Sequence, residues 1–257
     1  MGKSRLNEGN AIRPENAAQI YKVLDELESA RERWSQQRCA EKELAYYNEC
    51  MELLVELIIV LGSTPPASDA ERANRDLLAE AFDGIRIASK VFLWRYYGQG
   101  FTILRRVEEI VLIIENLFRD TKVGKRWLEG GKITPGNLRE AVKGRIDGIA
   151  PEVDAQIRRR LYDTYCEVSH PNREGIPNRH LGEPNRTSFE PKQGDETKLR
   201  LCMQELGTSA VYLLALAHNV WKKTIQDSCR PEWEEAVSQV FNGISALEDW
   251  RKETLDG

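Results

Sequence analysis

Two groups of residues carry side chains whose types and spacing suit chemistry. Arg105 and Glu109 stand four residues apart, which puts them on one face of a helix. Next to the apolar run 110–114, this pair reads either as a polar cluster facing a pocket or as an ordinary ion pair. If buried, the two must pair, because an isolated buried charge is strongly destabilising. The second group is Tyr162, Cys166, Ser169 and His170, gathered towards the end of a helix that Pro171 stops. An imidazole at a helix C-terminus is favoured in its protonated form by the helix dipole. His170 therefore reads as an acid–base residue or as a cap for the last carbonyls, and both readings stay open. Beyond it, Arg173, Arg179, His180 and Arg186 stand in the segment 171–195, where they could grip a phosphate or a partner. Glu174, Glu183, Glu190 and Asp195 balance the three arginines and Lys192, leaving no net charge before His180 is counted, so an ordinary surface loop would have the same composition.

Metal chemistry finds no support. Glu167 and His170 spell one ExxH, but a di-iron bundle needs a second copy, and His180 and His218 have Pro177 and Ala215 three residues before them. Neither a metal nor a cofactor is expected. His218 follows the apolar run 211–217 and reads as a core histidine with its polar atoms satisfied. No GxxxxGK(S/T), GxSxG or GxGxxG occurs, so P-loop, hydrolase and dinucleotide-binding readings lack local support. The five cysteines are widely spaced, odd in number and without a CxxC, which suggests neither a disulfide framework nor a zinc knuckle.

The elements that must position these groups are helices almost throughout. A helix starting at Pro14 carries the seam Ile20, Leu24, Leu27, Arg31, Trp34, with only Arg31 off pattern. A second seam, one residue out of phase with the first, runs Leu44, Tyr47, Met51, Leu54, Ile58, Leu61. Either the helix breaks in the polar stretch 35–43, where no Gly or Pro marks a turn, or one helix of about 48 residues turns its apolar stripe. The run from Gly62 to Pro66 ends this unit. Ser68 caps a third helix with the seam Leu77, Ala81, Ile85, Ala88, Phe92. Gly98-Gln99-Gly100 reads as a break, followed by a helix over 101–120 whose residues 110–114 leave no polar side. Such a helix belongs in the middle of a bundle. Short helices start near Pro135 and at Pro151, the latter running to His170. Closing helices cover 196–224 and 231–255. The expected fold is all-α: a bundle of about seven to nine helices, with a long N-terminal helical hairpin (1–63) beside a main bundle (67–257) that carries the long loop 171–195.

Composition sets the outer bounds. The 257 residues are 41% hydrophobic, enough for one large domain or two small ones. The net charge is −4, so any nucleic-acid contact would be a local patch. The apolar stretches around 53–61 and 110–114 fall short of a bilayer span, and the first residues lack the apolar core of a signal peptide. The chain reads as cytoplasmic, with no membrane partner.

Two segments also carry a family resemblance. Leu104-Arg105-Arg106-Val107-Glu108-Glu109 with Asp120 and Trp127, and Tyr162 to Pro171 with its Tyr, Ser and His-Pro, resemble a widespread group of uncharacterised bacterial all-α proteins. That group is similar in layout to the HEPN superfamily. The resemblance implies a dimeric, metal-independent ribonuclease of phage-defence or toxin–antitoxin type, with His170 as acid–base residue and Arg105, joined by Arg173, stabilising the phosphate. The superfamily's signature of Arg, four to six residues, then His is met only by Arg173 and His180, with Pro177 between them. Two functions follow. One is a helical interaction or regulatory protein that binds a protein partner or a second copy of itself, motivated by Trp34, Tyr46 and Tyr47 on otherwise charged helices. The alternative is the RNA-cutting enzyme. That alternative predicts cleavage of single-stranded RNA in EDTA, abolished by His170→Ala with the fold intact; cleavage that survives the substitution, or that needs Mg²⁺, contradicts it.

Overall fold

The computed structural model describes residues 14–38, 41–142 and 195–243. These are helical, without strands: an all-α multi-helix bundle. The expected helix at 151–170 and the loop that follows it lie outside the described residues, as does the chain beyond 243.

The helix boundaries follow from local chemistry. Helix α1 (Pro14–Arg38) starts on its proline, and α2 (Glu41–Gly62) stops before the Ser63–Pro66 run. Helix α3 (Asp69–Leu93) is capped reciprocally: Ser68 Oγ accepts from the Glu71 N–H at 3.1 Å, and the Glu71 carboxylate accepts from the Ala67 N–H at 2.6 Å. The Ala67 N–H, with Arg75 beside it, holds the Glu71 carboxyl below the usual carboxylate range. Arg75 also donates to the carbonyls of Leu61 and Thr64, tying the end of α2 to α3. Helices α4 (Tyr97–Phe118), α5 (Lys122–Leu128) and α6 (Pro135–Val142) follow. Thr121 opens α5 by accepting from the Gly124 N–H at 2.9 Å, a start that the hydrophobic pattern does not show. Next come α7 (Asp195–Val220), α8 (Lys222–Ser228) and α9 (Trp233–Asn242). The single helix expected over 196–224 is interrupted at Trp221, where φ is −112° and ψ is 24°.

Helices α3 and α4 form the most extensive pairing, and their junction differs from the sequence expectation. The chain reverses at residues 94–96, with Arg95 in the left-handed region at φ 66°. The N–H groups of Arg95 and Tyr96 donate back to Phe92 and Val91 at 2.8 and 2.9 Å. Gly98 and Gly100, expected to break the helix, lie inside the first turn of α4. Their lack of a side chain serves packing: a Cβ on Gly100 would collide with the Phe92 ring, which itself meets Phe101 edge-on at 5.2 Å. At Gly84 on α3, a Cβ would stand 2.7 Å from Val107 on α4.

The seam of α3 (Leu77, Ala81, Ile85, Ala88, Phe92) is buried throughout. Helix α4 is covered on nearly every side. Leu104, Val107, Ile110, Val111 and Ile114 enter the main core, while Leu112 enters a smaller one with Leu138 and Val142 of α6. Buried Asn116 holds that smaller corner together: it donates to the carbonyls of Leu112 and Leu138 at 2.8 and 3.0 Å and accepts from Thr121 Oγ1 at 2.7 Å. Of the two helices within residues 1–63, α1 packs on α3 and α7, whereas α2 packs chiefly on α7, α9 and α3. Leu53, Leu54, Leu57 and Leu61 of α2 belong to the same core as α3, α4 and α7. Tyr46 of α2 donates to the Val240 carbonyl of α9 at 2.9 Å. Among the described residues no helix is long and apolar enough to cross a membrane.

The glycines give opposite expectations. Gly100→Ala should lower stability by about 1–3 kcal/mol through overpacking against Phe92. Gly62→Ala meets nothing within 4 Å, and should be neutral or stabilising by up to ~1 kcal/mol. Urea unfolding of the two variants checks both signs.

Candidate functional site

The structure places Arg105 and Glu109 on α4, one turn apart, with Nε and Oε1 separated by 3.9 Å. Their side chains keep 30% and 31% exposure, so the pair sits at the edge of the core. Of the other residues singled out in the sequence, Tyr162, His170, Arg173, Arg179, His180 and Arg186 lie outside the described residues. His218 is satisfied: its Nε2 meets Glu234 Oε2 at 2.9 Å, and its ring stacks on Trp233 at 5.9 Å. Among the described residues no group of three His, Cys, Asp or Glu side chains is arranged to hold a metal ion. Cys50 is buried, and burial with Glu49 nearby pushes its thiol up to about 12, which leaves it an inert core group.

The densest polar and aromatic constellation lies elsewhere, where the second half of α1 crosses the turn between α3 and α4. Ser35 Oγ donates to the Leu93 carbonyl at 2.8 Å, in full burial. Arg31 reaches the Trp94 carbonyl at 3.5 Å and lies over the Tyr96 ring. Trp94 Nε1 donates to Glu32 at 3.0 Å, and Tyr96 Oη donates to Glu28 at 3.1 Å. The Arg95 guanidinium stands 3.7 Å from the centre of the Trp34 ring. The left-handed backbone at Arg95 turns its side chain under α1, and this stack helps offset the cost of a positive φ on a residue with a Cβ. Arg31, the one residue off the apolar seam, is thus a docking contact and no flaw in the pattern. The sequence signal for this clasp is the run Trp94-Arg95-Tyr96-Tyr97, whose partners on α1 lie about sixty residues away.

The clasp ends at Glu28. Earlier on the same helix, Tyr21 is 68% exposed, Leu24 37% and Leu27 38%. Helix α1 is therefore fixed at one half and presents apolar side chains to solvent along the other. A second buried polar group secures α2: Glu43 is 1% exposed and takes Arg200 Nε and Gln204 Nε2 of α7, each at 3.4 Å.

The fold class is thus an all-α bundle with one helix half-docked on its body. No protein-family model, no curated protein and no solved structure matches the chain.

The Tyr96–Glu28 bond gives a pH expectation. Burial, and next the Glu28 carboxylate, raise the Tyr96 phenol above its ordinary value. An undocked phenol titrates near pH 10, so docking is at full strength below about that pH and weakens as the pH rises through the docked value. Near-UV circular dichroism should show the signals of Trp34 and Trp94, each held by the clasp, falling above pH ~10 before global unfolding. Tyr96→Phe should weaken docking by about 0.5–1.5 kcal/mol at neutral pH and remove the Tyr96 part of the alkaline loss.

Proposed function

We propose that this chain is a non-catalytic helical interaction module that binds through the first half of α1, and that the partner is a second copy of the chain. The observation that carries this reading is the exposed run Tyr21, Leu24, Leu27 on a helix whose other half is anchored. Charge favours the second copy. The first half of α1 carries Glu15, Asp25 and Glu26 against Lys22, and the second half carries Arg31, Arg33 and Arg38 against Glu28 and Glu32. Antiparallel pairing of two such helices sets each acidic half against a basic one. At 25 residues, α1 spans about 37 Å, ample for a helix-to-helix seam. The family resemblance adds a setting, a regulatory role in a cytoplasmic defence or toxin–antitoxin system, which rests on the two sequence segments alone.

Sedimentation at micromolar concentration should show a dimer that Leu24→Asp with Leu27→Asp converts to a folded monomer. Removing residues 1–27 should act in the same way, whereas removing 1–63 should unfold the chain, because α2 supplies core. A wild-type monomer at tens of micromolar overturns the self-pairing. RNA cleavage in EDTA that His170→Ala abolishes would put the ribonuclease reading in place of a non-catalytic module.

A further inference from the structure

Most of α2 is core, but its outward face has a composition of its own. The exposed residues Asn48, Glu52, Val55, Ile59 and Gly62 follow one another in steps of four and three, which lines them up along one stripe. The first part of the stripe is acidic: Glu49 and Glu52 are exposed, and no Lys or Arg stands on α2 after Lys42. The last part is apolar: Val55 is 40% exposed and Ile59 64%. Beside this apolar end, a cavity of about 480 Å³ opens between the end of α2 and the first half of α3. Ile58 and Leu61 of α2, Pro66 of the connecting turn, and Leu78 and Ala79 of α3 supply its apolar lining. Gly62 belongs to the stripe and to the cavity, and a Cβ there would meet nothing within 4 Å, so the two surfaces run together. On the α3 side of the cavity, Arg72 and Asp76 are one charge of each sign. Arg75 is engaged by Glu71 and by the carbonyls of Leu61 and Thr64. The charge of the whole surface is therefore set by α2 and is negative. Single exposed apolar residues need no explanation, whereas an apolar stretch that runs into an open cavity marks an interaction site.

We propose that this surface docks a basic amphipathic helix of another protein. The partner's apolar seam lies along Val55 and Ile59, one bulky apolar side chain enters the cavity, and Lys or Arg side chains meet Glu49 and Glu52. The stripe from Asn48 to Gly62 spans about 21 Å, the length of four helical turns. Anchors three and four residues apart on a partner helix match its spacing, and the missing side chain at Gly62 admits a partner backbone closely. Charge selects against two copies pairing through α2: parallel, their acids would face acids, and antiparallel, their acids would face Val55 and Ile59. The surface is separate from the exposed run of α1, and neither proposal depends on the other.

The test titrates the full chain, by fluorescence anisotropy, into two synthetic four-turn helical peptides that share one seam of Leu with a single Trp. One peptide carries Lys on its flanks and the other carries Glu. The expected result is saturable binding of the Lys peptide and at least tenfold weaker binding of the Glu peptide. Ile59→Asp should weaken the Lys peptide at least tenfold with the helical circular dichroism unchanged, because Ile59 is exposed. Glu49→Lys with Glu52→Lys should reverse the preference, making the Glu peptide the tighter, a result that a loss of folding cannot mimic. Should Ile59→Asp fail to fold, this reversal decides. Leu24→Asp with Leu27→Asp should leave the affinity within twofold, which separates this surface from the α1 run. No saturable binding of the Lys peptide up to about 100 µM overturns the proposal. Equal binding of the two peptides, or binding lost in the α1 variant and kept in Ile59→Asp, overturns it as well. So does a dimer that Ile59→Asp dissociates, which would make this face a contact between copies of the chain.

Discussion

An apolar turn with no polar side is tolerated in water only when other helices cover it all round, and residues 110–114 of α4 form such a turn. Residues 110–114 would expose an apolar turn on any uncovered side, so α3, α6 and α7 are all recruited to it. The closeness of the α3–α4 pair then sets the geometry of the rest. It depends on Gly84 and Gly100, where the absence of a Cβ lets Val107 and Phe92 fill the gap between the axes. The reversal at residues 94–96 is the direct consequence of two helices held this near each other, and it takes a left-handed Arg95 to make it.

That reversal is also the surface on which α1 is fixed. Four hydrogen bonds and two cation–ring contacts are concentrated on residues 93–96. Most of the partners are partly exposed, and each such contact is worth little by itself. Together they orient a helix whose Tyr21, Leu24 and Leu27 are left exposed. Directional polar contacts at one end, with apolar side chains left exposed at the other, describe a helix built to be completed by another surface. Helix α2 is held differently, by wholesale burial of its leucines and by the Glu43 and Tyr46 bonds to α7 and α9, and so behaves as core.

Much of the architecture was legible in the sequence, because helical periodicity, proline starts and the Ser68 cap are local signals. The seam of α3 and the apolar turn of α4 follow from residues within a few turns of one another, whereas His218 is satisfied by Trp233 and Glu234 on another helix, α9. Less of the candidate site was legible. The Arg105–Glu109 pair can be read from i,i+4 spacing, yet its place at the edge of the core depends on what covers α4. The clasp of α1 joins residues about sixty positions apart, and the Glu43 bonds to α7 join residues about one hundred and sixty apart. No periodicity reports such pairings. The glycines at 98 and 100 show the limit of a local rule: Gly-x-Gly signals a break when backbone freedom is its use, and a close helix contact when the missing Cβ is.

By itself, then, the amino-acid sequence determined that this protein is all-α, where most of its described helices start, and which faces of α2, α3 and α4 must be buried, since these depend on interactions within three or four residues. The tertiary structure decided that the chain turns at Arg95 and not at the glycines, that Arg31 is a contact and not a defect, and that Glu43 is buried against Arg200 and Gln204 of α7. Those outcomes depend on which surfaces meet across long stretches of chain, and that is settled by the packing of the whole bundle, where close approach, burial and unsatisfied polar groups are balanced together.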